Sequence, residues 1–191
     1  MPLPEPEADD LVAAKSGDRQ AFGRVVNVYA KLVFNLAYRM CGNAEEASDL
    51  SQEIFLRVYR NLNKHDATRP FGPWLYRVGH NLGINFVTRR PKRMLPIDSR
   101  TGDDGGALHE PAAGSPSAHE VVEGDERAEQ VRGAVLELKP DHRAIVTLHY
   151  LQGLTYDELV ETLELPIGTV KNRLFRAREA LREILEGKVP A

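Results

Sequence analysis

Three observations predict an all-α chain of two small helical domains joined by a flexible acidic linker. Apolar residues recur at steps of three and four along most of the sequence, and no alternating run suggests a strand. Residues 94–119 gather Pro96, Gly102, Gly105, Gly106, Pro111, Gly114 and Pro116 with hardly any paired apolar positions, which is linker composition. Charge divides at the same places. Residues 67–93 hold Arg69, Arg77, Arg89, Arg90, Lys92 and Arg93 with no acid, 94–130 are acidic, and from residue 166 basic side chains again predominate. The net charge of −3 therefore averages two basic modules with an acidic connector. The expected division is a disordered 1–9, a first domain over 10–93, a linker over 94–120 and a second domain over 121–187. Each domain is near the lower limit for independent folding.

Residues 10–38 read as helix, with Leu11, Ala14, Phe22, Val25, Tyr29, Leu32, Val33 and Leu36 at helical steps and a break at Ser16-Gly17-Asp18. Gly42-Asn43 turns the chain. Asn43 then caps a helix to about residue 62, whose first turn carries Glu45 and Glu46, the sign the helix dipole favours. Ala47, Leu50, Ile54, Val58 and Leu62 form its inward stripe. A polar loop over 64–72 follows. Pro73 suits the first turn of a helix running through Trp74, Leu75, Val78, Leu82 and Phe86 to about residue 90, where Pro91 ends it. Helix resumes near Val121 and continues to about 138, then from Pro140 to about 151 before Gly153.

Residues 154–185 carry the most information. Thr155 and Glu158 have the spacing of a capping box, and Leu159, Val160 and Leu163 form one apolar face. Leu165-Pro166 stops that helix, because a residue before proline is pushed out of the α region. In the next helix Ile167, Val170, Leu174, Ala177, Leu181 and Leu185 make the stripe expected to be buried, while Lys171, Asn172, Phe175, Arg176, Arg178 and Arg182 project from the other side. Such a helix suits a DNA major groove, where Arg, Lys and Asn read base edges and further cations neutralise phosphate. The competing reading is a helical hairpin with a solvated charged face, in which Phe175 packs on a neighbour.

Composition narrows the function classes. No apolar stretch approaches the ~20 residues of a membrane span. The acidic, proline-rich start MPLPEPEADD is neither a secretory signal nor a transit peptide, so a cytoplasmic protein is expected. Cys41 is the single cysteine, which excludes an internal disulfide and a multi-cysteine zinc site. With no nucleophile–base pair, metal cluster or phosphate loop in view, neither an enzyme nor a cofactor is expected.

Three stretches, ASDLSQEIFLRVYRNL (47–62), PFGPWLYRVGHNLGINFVTRR (70–90) and LTYDELVETLELPIGTVKNRLFRAREAL (154–181), resemble in order the bacterial RNA polymerase sigma factors of the extracytoplasmic-function family, group 4 of the sigma-70 proteins. The resemblance covers nearly everything from residue 10 to 185 except the linker. It implies a subunit that binds core RNA polymerase, captures the melted −10 element with its first domain and reads −35 duplex with its second. It also implies an anti-sigma factor as a further partner. By the same resemblance, Asp49, Leu50, Gln52, Glu53 and Phe55 would dock on the polymerase clamp, offering carboxylates to a basic partner with apolar anchors beside them.

The −10 strand would fall to Asn63, Lys64, His65, Arg69 and Phe71 in a base pocket, with Arg77, His80, Asn81 and Asn85 on the following helix. Trp74 has two readings, core residue or stacking platform. The −35 element would fall to Lys171, Asn172, Arg173, Phe175, Arg176 and Arg178. The linker, extended, reaches roughly 90 Å at ~3.3 Å per residue, enough for promoter elements about two helical turns apart. Its acidity suits either passage through a nucleic-acid channel or a solubilised tether. Two residues depart from the family pattern: Val160 stands where alanine is usual, and Glu164 where glycine is frequent, with an altered helix–helix angle as the expected consequence. The alternative function is a stand-alone helix-turn-helix regulator, which would have no need of the first domain.

Overall fold

The computed structural model describes residues 3–89 and 118–187, and these residues form helices, turns and loops without a strand. Helix α1 (Ala8–Lys15) ends at the predicted break, where Gly17 takes a φ of +97°. Asp18 caps α2 (Arg19–Cys41) by accepting from the amides of Gln20 and Ala21, and Gly42, at φ +84°, closes that helix. Asn43 Oδ1 accepts from Glu46 N–H at 2.8 Å to start α3 (Ala44–Asn61), which tightens into a short 3₁₀ turn over Leu62–Lys64. After a loop comes α4 (Phe71–Thr88).

Helices α2, α3 and α4 pack around Val25, Tyr29, Leu36, Leu50, Ile54, Phe71 and Leu75, all at most 1% exposed. Gly79 lets α4 approach closely: a Cβ there would sit 2.9 Å from Leu36 Cδ2, so a larger residue requires that side chain to shift.

The N-terminus corrects the expectation of disorder over residues 1–9. Residues 1 and 2 lie outside the described set, but from Leu3 onward the chain forms a strap across the start of α4. Pro70, the N-cap of α4, offers no side-chain acceptor. Glu5 supplies it from 66 residues away, accepting from Phe71 N–H at 2.9 Å and Gly72 N–H at 3.2 Å. The hydroxyl of buried Tyr29 donates to the Pro4 carbonyl beneath the strap. Replacing Glu5 with alanine is expected to cost about 1 kcal/mol, the usual worth of a helix N-cap. Urea unfolding of full-length protein checks this; an unchanged midpoint would mean water caps α4 equally well.

The second domain is built from α5 (Ala118–Glu137), α6 (Pro140–Val146), α7 (Tyr156–Leu163) and α8 (Ile167–Glu186). Helix therefore resumes three residues before Val121, and the remainder of the expected linker lies outside the described residues. The segment expected as one helix from 140 to 151 changes pitch: Thr147–Leu151 form a π turn. The capping box is complete, with Thr155 Oγ1 accepting from Glu158 N–H and the Glu158 carboxylate accepting from Thr155 N–H at 2.7 Å. Pro166 is the N-cap of α8, which begins at once after α7 stops. Ile167, expected inside, is 42% exposed, because it lies at the very end of the helix beyond the cover of α7.

The two domains pack against each other. Helix α4 meets α6 and α7, and α2 meets α5 and α6. Gly42 receives Leu136 of α5, whose Cδ1 would lie 2.8 Å from a Cβ at that position.

Candidate nucleic-acid interface

Helix α8 is anchored by Val170, Leu174 and Ala177, each at most 3% exposed. This orientation turns Lys171, Asn172, Phe175, Arg176 and Arg178 to solvent on one side. Phe175 is 54% exposed, so it does not serve as a core residue of a hairpin. Lys171 is steered: its ammonium lies 5.9 Å from the centre of the Tyr156 ring, which lies tilted 5.0 Å from the His149 ring. His149 Nδ1 in turn pairs with the Leu154 carbonyl at 2.7 Å. Arg173 does not join this face. It is half-buried between the anchors at 170 and 174 and 177, and its charge is felt by His80 and His142.

In the first domain, the loop after the 3₁₀ turn is preformed by Asp66, whose Oδ1 accepts from Thr68 N–H and Oγ1 at 2.9 and 2.7 Å. These bonds hold the Asp66 carboxylate below its ordinary pKa. Between this loop and α4 lies a cleft of about 170 Å³, with Trp74 and His65 in its wall and Lys64, Arg69 and Arg77 among its cations. That is smaller than the ~300 Å³ of a site for a whole small molecule, and suits one planar ring. Trp74 is half-buried, 5.5 Å from the Phe71 ring and 5.2 Å from His65, and it also lines the cleft.

The cations and amides expected to hold the strand backbone are partly brought together. Asn63, Lys64, Arg69, Asn81 and Asn85 are exposed, and Arg77 is half-buried. Phe71 and Tyr76 are wholly buried and His65 and His80 nearly so; His65 still lines the cleft, whereas Phe71 and His80 do not, which corrects their expected place among the strand contacts. The reason is steric. Phe71, Leu75 and Tyr76 occupy the inward turns of α4, and His65 packs edge-on to Phe71 at 5.2 Å. Burial lowers the pKa of both histidines, with Lys15 adding to the effect at His65. Sequence reading missed Arg57 and Asn61, which border a second cleft with Trp74, Arg77 and Asn81. Their spacing with Lys64 was the available signal, since steps of three and four share a helix face.

On α3, Asp49, Gln52 and Glu53 are exposed and Phe55 is half-buried. Leu50 is 0% exposed and inside the helical core, so it supports this surface without forming part of it. Leu56, 54% exposed, is the apolar side chain that α3 does present. Among the described residues no cluster of His, Cys, Asp and Glu could hold a metal ion, and no helix is long and apolar enough to cross a membrane.

Known proteins were compared with this arrangement. The Sigma-70 region 2 family model matches residues 25–93, and the Sigma-70 region 4 model matches residues 128–181. The ECF RNA polymerase sigma factor SigW of Bacillus subtilis is 36% identical over 173 residues, covering 90% of this chain and 92% of SigW. The chain belongs to the ECF sigma factor family.

This ECF sigma factor is also similar to the RNA polymerase sigma-H factor of Pseudomonas aeruginosa, 32% identical over 177 residues and 89% of each chain. Its fold matches CnrH, solved in complex with the cytosolic domain of CnrY, with a TM-score of 0.66 and 21% identity over 97% of this chain and 100% of that one. It likewise matches RpoE of Bartonella quintana, solved with the anti-sigma factor NepR, with a TM-score of 0.58 and 20% identity over 88% and 98% of the two chains. Family membership makes this sigma factor a subunit of RNA polymerase that directs transcription initiation, in a family of initiation factors rather than enzymes. The region 2 match sets aside a stand-alone helix-turn-helix regulator. It begins inside α2, so the N-terminal strap and α1 lie outside the matched segment.

Proposed function

We propose that this sigma factor divides promoter recognition between its domains, with α8 reading −35 duplex and the cleft and outer face of α4 holding the melted −10 strand. The observation that carries the reading is the α8 face, where Lys171, Asn172, Phe175, Arg176 and Arg178 stand exposed together on a helix whose other side is locked into the core. Arg and Lys donate to guanine, Asn pairs with adenine, and an aromatic ring meets the thymine methyl. In the first domain a ring-sized cleft bordered by cations suits an unstacked base and its phosphates. Asp49, Gln52 and Glu53, with Phe55 and Leu56 beside them, form the surface that docks on core polymerase. The protein performs no chemistry of its own and acts in the cytoplasm. An anti-sigma factor, the kind of partner with which the structurally similar RpoE was solved, is its expected inhibitor.

In vitro transcription with core polymerase from the same source on a genomic-fragment library tests the reading. New start sites sharing two upstream elements are expected, and none at all despite tight core binding would overturn it. Asp49→Lys with Glu53→Lys is expected to weaken core binding about tenfold or more, through charge reversal on an exposed face, while leaving the unfolding midpoint unchanged. Co-elution of the double variant with core at wild-type strength would remove α3 as the docking surface.

A further inference from the structure

The loop that walls the cleft is held at both ends by residues far from it in sequence. Lys15, the last residue of α1, donates from Nζ to the His65 carbonyl at 2.8 Å, across 50 residues. Glu5 holds the other end: Oε2 accepts from Phe71 N–H at 2.9 Å and Oε1 from Gly72 N–H at 3.2 Å. Between these fixed points lie His65, Asp66, Arg69 and Pro70, all in the cleft wall, and Trp74 lines the same cleft from the first turn of α4. The clamping segment is itself anchored. Buried Tyr29 donates its hydroxyl to the Pro4 carbonyl, and Leu3 packs over Gly72, where a Cβ would meet Leu3 Cβ at 3.1 Å. Arg24 ties α1 to α2 through Nε and Nη2, which donate to Asp10 Oδ1 at 2.8 and 2.6 Å. Neither Glu5 nor Lys15 lines the cleft, and both precede residue 25, where the region 2 match begins.

Loops ordinarily move more than the elements they connect, and a binding pocket discriminates only as well as its walls are held. The bonds from Thr68 to Asp66 shape the middle of this loop but do not fix it against α4. The two long-range contacts do. Each has a charged partner, which makes it stronger than a neutral hydrogen bond, and the Glu5 carboxylate also meets the positive end of the α4 dipole. We propose that Glu5 and Lys15 are positioning residues for −10 recognition: the N-terminal strap and α1 clamp the cleft loop against α4 and thereby set how strictly it selects its base. The inference rests on the reading of the cleft as a base pocket given above.

Trp74 is the single tryptophan of the chain, so its fluorescence reports on the cleft directly. Glu5→Ala and Lys15→Met each remove one fixed point. Glu5→Gln keeps one acceptor oxygen of the two, and Lys15→Arg keeps a charged donor. Acrylamide quenching of Trp74 in the full chain is expected to rise about twofold in Glu5→Ala and Lys15→Met, as a loosened local segment requires. Holoenzyme assembled from core polymerase and each full-length variant is then run on the genomic-fragment library. Start sites should keep the same −35 element, while preference at one position of the −10 element falls about threefold to fivefold, the scale of one lost cap or charged bond. Glu5→Gln and Lys15→Arg should fall between these variants and wild type in both readouts. Glu7→Gln removes the same charge from the strap at a side chain that caps nothing, and should match wild type. Unchanged −10 preference in Glu5→Ala and Lys15→Met, even with a uniform loss of transcription, overturns the clamp and leaves the reading of the cleft intact. Altered preference with unchanged Trp74 quenching, or an equal effect of Glu7→Gln, also overturns it. Wild-type start sites that share no −10 element overturn the reading of the cleft, and the clamp with it.

Discussion

Replacing Arg143 with alanine is expected to lower the unfolding free energy by about 3 kcal/mol, as loss of a buried, charged hydrogen-bond donor does. This guanidinium, 9% exposed, rises from α6 into the seam between the domains. Nη1 donates to the Met40 carbonyl at 2.5 Å near the end of α2, and Nη2 to the carbonyls of Leu136 and, at 3.3 Å, Leu138 near the end of α5. Carbonyls at helix C-termini lack intrahelical partners and carry the negative end of the dipole, so a cation there satisfies both needs. Desolvation pulls the pKa of Arg143 down, partly offset by Cys41. Alanine would leave three carbonyls facing a void. Lysine should not rescue it, because a single ammonium cannot match the fork. Urea unfolding followed by circular dichroism measures the loss, and a variant within about 0.5 kcal/mol of wild type would mean that water replaces the fork at little cost.

The second large effect falls on DNA. Arg176→Ala is expected to cost about 1–3 kcal/mol of −35 discrimination, the worth of a good bidentate base contact, while leaving binding to core polymerase intact. Fluorescence anisotropy with promoter duplexes carrying wild-type or altered −35 elements reads the first, and co-elution with core reads the second. Equal loss of both would refute the division of labour between the domains. Arg173→Ala supplies the contrast. Because Arg173 is half-buried on the side of α8 toward α4 and α6, its loss should affect packing between domains more than base readout.

Much of the helical skeleton was legible because its signals are local. Asn43 caps the amide three residues away, Thr155 and Glu158 close a box within one turn, and Gly42 and Gly17 take the backbone where other residues resist going. The α8 face was legible for a similar reason: once the stripe through Val170, Leu174 and Ala177 is inward, geometry places Lys171, Asn172, Phe175 and Arg176 outward. Where the periodicity was read too coarsely, the structure disagrees. Ile167 belongs to the apolar series but has no helix above it. Arg173 was grouped with its cationic neighbours although it flanks the anchors.

The pattern of apolar spacing, caps and charge blocks determined by itself that this chain is helical, two-domained and equipped with a helix that presents a cationic face. These properties follow from interactions within a turn or two of backbone. The tertiary structure alone decided which surfaces face each other. Glu5 caps a helix 66 residues away, Arg143 ties α6 to the ends of α2 and α5, and Glu164 meets Arg77 across the domain boundary. Periodicity shows which face of a helix seeks cover but carries no information on what covers it. The burial of His80, and the closure of α7 over the α4 surface, thus required the packed molecule.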